Sequence, residues 1–226
     1  MNKFAVIVDL NGTLVDTEYA FFQAYKDALT KFNVSFTIED FTQNWSTEGK
    51  KLKDYLEKIK RQDLFVKEKE ILIEKDMIFQ ETLESRAILM PGAQDLLFYL
   101  QKENISLGLD SSTSRMNIDK LLKLFNIEST FAVIASGDME IDEAKYGDIK
   151  KKSSRLKVVA DILQFPYKKC IVIGDAEKDI KGANEAGMKS IAIPNQYTKS
   201  NDFSLADKKV TSLKEITIDL LNIVIK

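Results

Sequence analysis

The stretch Phe4-Ala5-Val6-Ile7-Val8-Asp9-Leu10-Asn11-Gly12-Thr13-Leu14-Val15-Asp16 decides the fold. Its apolar run is too short for a helix and reads as a buried strand. The run ends in a carboxylate, an amide, a glycine and a hydroxyl within five residues. Open parallel sheets place their ligands at the carboxyl ends of strands. A carboxylate held there can act as a nucleophile or ligate magnesium.

Outward from this strand the texture of the chain changes twice. From about Asp16 to Ser85 the pattern is helical: Ala20-Phe21-Phe22, Tyr25, Ala28-Leu29 and Phe32 recur at helical spacing, as do Leu52, Tyr55-Leu56 and Ile59. A long amphipathic pattern covers Leu64 to Leu83, and Thr37, with an acid at Asp40, has the form of a helix N-cap. From Met90-Pro91-Gly92 onward, predicted helices at 93–101, 117–125, 156–163 and 178–186 alternate with predicted strands at 105–109, 131–135, 170–173 and 190–193. Alternation of this kind predicts an α/β fold with a doubly wound parallel sheet. The first strand lacks a crossover helix of its own, so the helical block reads as a domain inserted behind it. The expected division is a core of 1–15 and 86–226 and a helical domain of 16–85.

Composition narrows the function. A length of 226 residues and a hydrophobic content of 44% suffice for a real core, and a net charge of -2 argues against a nucleic-acid surface. One cysteine rules out an internal disulfide and fits a reducing compartment. The N-terminal apolar run is too short for a signal peptide and no stretch has the length of a membrane span, so a cytoplasmic monomer is the expectation. The sequence has no histidine, which excludes Ser-His-Asp and Cys-His catalysis, histidine metal sites and phosphohistidine chemistry. An enzyme built from this chain works with carboxylates, hydroxyls, lysines, backbone amides and a hard metal ion.

Asp9-Leu10-Asn11-Gly12-Thr13 resembles the first motif, Asp-x-Asp-Gly-Thr, of the haloacid dehalogenase-like superfamily, whose members are mostly magnesium-dependent phosphatases. Gly174-Asp175-Ala176-Glu177-Lys178-Asp179, behind the apolar run ending at Ile173, is similar to that superfamily's fourth motif, Gly-Asp-x-x-x-Asp. Leu14-Val15-Asp16-Thr17-Glu18 and Pro91-Gly92 look like its phosphoglucomutase and phosphoglycolate-phosphatase branch. The resemblance covers nearly the whole chain and implies a Rossmann-like core with an inserted helical cap. It also implies roles. Asp9 would be the nucleophile that becomes an aspartyl phosphate. Gly12 and Thr13 would turn backbone amides toward a phosphate, and Ser111 with the Ser112 amide would hold a phosphoryl oxygen. Mg2+ would be held by Asp9, the Asn11 carbonyl and Asp175, with Asp179 ordering the shell. The third motif is a lysine: counting forward from Ser136-Gly137 suggests Lys145, counting back from Leu163 suggests Lys150 or Lys152, and Lys152 is favoured. In the helical block Trp45, Lys50, Lys51 and Lys53 lie where related caps close over their sites, although an exposed charged helix face is the plainer reading. Cys170 reads as a buried strand residue.

Two departures matter. Asp110 stands where a small or apolar residue is usual, and a bare carboxylate there would repel an anionic substrate. Asn11 stands where the family has its acid/base Asp. An amide donates and accepts hydrogen bonds but does not exchange protons usefully, and general acid-base catalysis is typically worth ~10²–10⁴-fold. Three explanations are open: a natural enzyme of low phosphatase turnover, a base supplied from elsewhere, or an engineered Asp→Asn that traps an intermediate. The leading expectation is a slow magnesium-dependent phosphatase-like hydrolase acting on a small phosphorylated metabolite. A phosphosugar mutase and a non-catalytic phosphate-binding pseudo-phosphatase are the rivals. A dehalogenase is disfavoured because that class uses no metal.

Overall fold

The computed structural model describes residues 4–47 and 51–226. The chain forms two compact units, one of residues 1–16 with 88–226 and one of residues 17–87.

In the first unit β1 (Ala5–Asp9) is buried at every position. Strands buried on both faces read as continuous apolar runs because helices cover each side, and Ala-Val-Ile-Val is such a run. After β1 comes the short β2 (Val15–Asp16), and the chain returns to this unit through β3 (Ile88–Leu89), which pairs antiparallel with β2. That two-residue ladder ties together the points where the chain leaves and rejoins the unit. It is too short to register as period-2 alternation, so the sequence did not reveal it.

The remaining elements alternate as expected: α5 (Ala93–Lys102), β4 (Ser106–Asp110), α6 (Arg115–Leu124), β5 (Val133–Ala135), the one-turn α7 (Glu143–Tyr146), α8 (Lys152–Leu163), β6 (Cys170–Gly174), α9 (Glu177–Glu185) and β7 (Lys189–Ala192). The chain ends with β8 (Lys208–Lys209) and α10 (Ile218–Val224). The sheet order is β5-β4-β1-β6-β7-β8, with every pairing parallel. The chain builds outward from β1 on one side, then crosses back and builds outward on the other. β1 therefore sits at the switch point, where adjacent loops splay apart and leave a crevice. The register sets Asp9 beside Asp110 on β4, and Val8 beside Ile173 on β6.

The core joins Ile7, Val133, Ala135, Leu156, Val159, Ala160 and Val172 into one cluster. Helix α8 packs on the sheet so closely that Gly108 is required in β4: a Cβ there would lie 2.3 Å from Val159 Cγ1. β8 went unanticipated because its two residues are exposed lysines. Lysine on an outer strand blunts the free edge of the sheet.

The second unit has no strand among its described residues. It contains α1 (Glu18–Thr30), α2 (Ile38–Phe41), α3 (Leu52–Lys58) and α4 (Glu68–Arg86). α1 and α4 bury Ala24, Tyr25, Ala28, Ile71, Phe79 and Leu83 at helical spacing. Thr37 caps α2 as its pattern suggested: its Oγ1 accepts from the Asp40 amide at 3.1 Å while Asp40 Oδ2 accepts from the Thr37 amide at 3.1 Å. Two details differ from expectation. Residues Thr42–Thr47 wind as a π-helix; Asn44 Nδ2 donates to the Asp40 carbonyl at 2.6 Å, and a side chain engaging the helical carbonyl ladder is an identifiable cause of irregular winding. The pattern from Leu64 begins as a 3₁₀ turn, Gln62–Lys67, before α4 starts. Arg61 pins that turn through Asp63 Oδ1 (2.9 Å) and the Asn33 carbonyl (3.3 Å). No helix among the described residues is long and apolar enough to cross a membrane.

Gly108→Ala should destabilise the first unit by about 1–3 kcal/mol, the usual cost of overpacking a filled core. Denaturant unfolding should show a lowered midpoint at unchanged m-value.

Candidate active site

The carboxyl ends of β1, β4 and β6 deliver Asp9, Asp110 and, one residue past β6, Asp175. Helix α8 contributes its first residue, Lys152, and α9 contributes Asp179. All five are buried. Lys152 Nζ sits at the centre, 2.5 Å from Asp9 Oδ1, 2.8 Å from Asp179 Oδ1 and 3.0 Å from Asp110 Oδ2. The ammonium donates a hydrogen bond to Asp9 Oδ1 and is ion-paired with Asp179 and Asp110. Helix α8 approaches α9 closely enough for this because residue 182 is glycine: a Cβ there would lie 2.8 Å from Lys152 Cβ.

The electrostatics follow from burial and charge. Desolvation pushes the Asp9 carboxyl up and the Lys152 ammonium pulls it back, leaving it at about 6. Burial opposes the charge on Lys152, but Asp179, Asp9 and Asp110 together hold it well above the ordinary lysine value. Asp179 is also desolvated, yet Lys152 and Lys178 bring it below the ordinary aspartate value.

The turn after β1 is shaped for close approach. Gly12 has φ +86°, and a Cβ there would lie 2.6 Å from Asp175 Oδ2, so only glycine fits on both counts. Thr13 Oγ1 donates to Asp175 Oδ1 at 2.9 Å. Asn11 faces the β4 side, where its Oδ1 accepts from Ser111 Oγ at 2.8 Å and from Thr113 Oγ1 at 3.0 Å. Ser111 Oγ in turn accepts from the Thr113 amide at 3.1 Å.

The structure thus brings together Asp9, Lys152 and Asp179 as one group, Gly12, Thr13 and Asp175 as a second, and Asn11 with Ser111 as a third. Ser112 is exposed, and it is Thr113 that shares Asn11 with Ser111. Of the three candidate lysines, Lys145 is exposed and bonds Asp161 and Tyr146, Lys150 is exposed, and Lys152 meets Asp9. In the second unit the Trp45 ring lies 4.8 Å from that of Tyr25 and 5.2 Å from that of Phe36, and Lys53 Nζ lies over the Phe65 ring. The Lys51 amide bonds Asp54, and Lys50 lies outside the described residues. Cys170 is buried in β6, and desolvation pushes its thiol up to about 12, far from a reactive thiolate.

Two residues of this site, Arg155 and Asn195, gave no legible signal, and a third, Asp110, was visible without its partner. Asp110, unexplained in the sequence, is not bare: Arg155 Nε donates to its Oδ1 at 2.7 Å and Nη2 to its Oδ2 at 3.4 Å. Arg155 lies three residues beyond Lys152, one helical turn along α8. Its Nη1 also donates to the Ile149 carbonyl at 2.9 Å, which fixes the turn before the helix. The lysine-rich run around it looks like ordinary surface, yet Arg155 is 3% exposed. Asn195, from the loop after β7, donates through Nδ2 to the Gly12 carbonyl (3.0 Å) and to Asp175 Oδ2 (2.9 Å).

Asp9, Asp175 and Asp179 each present an oxygen within 4.8 Å of the others. All are hard donors of the kind magnesium prefers. Four buried carboxylates here face two buried cations, Lys152 and Arg155. Even with the exposed Lys178 acting on Asp179, the carboxylates outnumber the cations, so the residues present fit a divalent ion.

A parallel sheet with carboxylates, a lysine and hydroxyls gathered at its switch point defines a class of hydrolase, and the comparison with known proteins names it. The chain belongs to the haloacid dehalogenase-like hydrolases, whose family model matches residues 6–193. It is 25% identical over 224 residues to Protein CbbY of Rhodobacter capsulatus, covering 94% of this chain and 95% of that protein. It is 27% identical over 198 residues to the Phosphorylated carbohydrates phosphatase of Thermotoga maritima, covering 83% of each. The crystal structure of CbbY from Rhodobacter sphaeroides in complex with phosphate has the same fold, with a TM-score of 0.78 at 22% identity, covering 98% of this chain and 100% of that one.

Arg155→Met leaves Asp110 buried with one partner fewer. It should cost about 3–5 kcal/mol, the range for breaking a buried ion pair from one side. Adding Asp110→Asn should recover much of that loss, giving a coupling of opposite sign in a double-mutant cycle read by chemical denaturation.

Proposed function

We propose that this protein is a magnesium-dependent phosphatase-like hydrolase of small phosphorylated metabolites, working through an aspartyl phosphate on Asp9 and slowed by Asn11. The observation that carries this reading is the Asp9 carboxylate at the switch-point strand tip, 2.5 Å from a lysine and clustered with Asp175 and Asp179. A relative named Phosphorylated carbohydrates phosphatase, matched over 83% of its length, points to the same substrate class. The near-neutral charge balance and lack of a basic excess favour a small ligand over nucleic acid.

In this mechanism an Asp9 oxygen attacks phosphorus and the ester P–O bond breaks, the leaving alcohol oxygen taking its proton from solvent water. Water then attacks the aspartyl phosphate, releasing phosphate and restoring Asp9. Lys152 offsets charge on the transferring group, and the Thr13 amide, with the Ser111 and Thr113 hydroxyls turned from Asn11, orients its oxygens; contrary to expectation the Gly12 amide is taken, donating to the Val15 carbonyl at 2.8 Å. When bound through Asp9, Asp175 and the Asn11 carbonyl, magnesium supplies the charge neutralisation that lets two anions meet. Asp179 suits an orienting role: Lys152 engages one of its oxygens, and the Ala176 amide donates to the other at 2.9 Å.

Asn11 is the slow point. Its Oδ1 accepts two hydroxyl bonds, but its amide has no proton to exchange with the leaving oxygen or with water. Asn11→Asp keeps that acceptor and puts an ionisable oxygen where Nδ2 stands. With magnesium and a panel of phosphorylated metabolites, Asn11→Asp should release phosphate ~10²–10⁴-fold faster than the unaltered chain. Asp9→Asn in either background should abolish release. Failure of both the unaltered and Asn11→Asp chains to release phosphate from any ester would sink the hydrolase reading and favour a mutase or a binding protein.

A further inference from the structure

We infer that Asn195 is a positioning residue that holds Asp175 in a cation-ready orientation and locks it to the Gly12 turn. The inference rests on the metal reading above but concerns a residue outside every motif that identified the site.

Three observations carry it. First, the Asn195 side chain has one possible orientation. Its Oδ1 accepts from the Tyr197 amide (2.8 Å), the Thr198 amide (3.2 Å) and Thr198 Oγ1 (3.3 Å). Flipping the amide would set NH2 against two N–H donors. Nδ2 must therefore face the other way, toward the Gly12 carbonyl and Asp175 Oδ2. Second, both Asp175 oxygens are held, Oδ1 by Thr13 and Oδ2 by Asn195. Bonds to both oxygens fix the carboxylate plane. Third, both clamps reach the same turn. Thr13 belongs to it and Asn195 binds its Gly12 carbonyl, so Asp175 is oriented relative to the segment that carries Asp9 and Asn11. Groups that orient a ligating carboxylate in this way typically change metal affinity 10–100-fold when lost.

The loop geometry supports the assignment. The Asn195 amide is tied back by Thr198 Oγ1 at 3.1 Å, so the side chain is aimed by its own turn rather than by the metal cluster. A rigid, separately built arm meeting two site groups is what pre-orientation requires.

The test is magnesium titration by calorimetry on the full chain, paired with thermal melting in EDTA. Asn195→Ala should weaken magnesium binding about 10-fold or more. Thr198→Val removes the Oγ1 contacts but leaves the Tyr197 and Thr198 amides on Asn195 Oδ1 and spares Nδ2; it should lower the EDTA melting temperature and weaken magnesium binding less than Asn195→Ala does. Should the alanine variant not fold, Asn195→Gln, which displaces the amide by one methylene, should still weaken binding several-fold. Equal magnesium affinity in the unaltered chain and the Asn195 variant that folds would overturn the inference. A wild-type chain that binds no magnesium would remove the metal reading itself, and the inference with it.

Discussion

The ammonium of Lys152 is the constraint around which the catalytic end of the sheet is arranged. A buried lysine without partners would lose its proton or unfold its surroundings. Here it has as many carboxylates as N–H bonds. Those carboxylates come from β1, β4 and α9, and the lysine from α8, so satisfying one cation fixes four elements relative to one another. Two glycines make room for this: Gly108 lets α8 settle on β4, and Gly182 lets α9 approach Lys152.

Charge of this density so deep in a fold needs compensation from a second source. Arg155 provides part of it by taking Asp110 bidentately, which frees the Lys152 ammonium from carrying that carboxylate alone. The planar guanidinium suits the task because its fork matches a carboxylate and its remaining donor reaches the Ile149 carbonyl. Stability and chemistry are therefore not separable at this end of the sheet: the residues that would handle phosphate are also those that keep one another's charges tolerable.

What the sequence disclosed divides along a physical line. The strands at the sheet centre were legible because each is apolar on both faces and ends in a polar cluster. Val-Ile-Val before Asp9 and Ile-Val-Ile before Gly174-Asp175 need no knowledge of neighbours. Thr37 with Asp40 was legible because a capping box is complete within four residues. The β2–β3 ladder and β8 were silent because two residues carry no period and β8 has no apolar face. Arg155 and Asn195 were silent for a different reason. Their meaning lies in partners 45 and 183 residues away, and neither residue type is unusual in its local setting. Asp110 shows the same limit from the other side: an awkward carboxylate was visible, but the cation that accommodates it was not.

The parallel topology has a consequence for how this molecule comes into being. The bonds that assemble the site span 100 residues for Ser111 with Asn11, 143 for Lys152 with Asp9, 162 for Thr13 with Asp175 and 183 for Asn195 with Gly12. Contacts of such separation form late and slowly, because the intervening chain must be ordered first. At ribosomal rates of roughly 5–20 residues per second, the segment bearing Asp9 waits on the order of ten seconds or more before Asn195 is synthesised. Until residues 106–110 are made β1, the first strand synthesised, has no neighbour, and until residues 170–174 are made it has only β4 beside it. The helical unit of residues 17–87, a compact unit made of one continuous segment, can meanwhile reach its own structure. The order of the chain thus sets a period in which the helical unit, about a third of the residues, is foldable while β1 is still an unpaired edge.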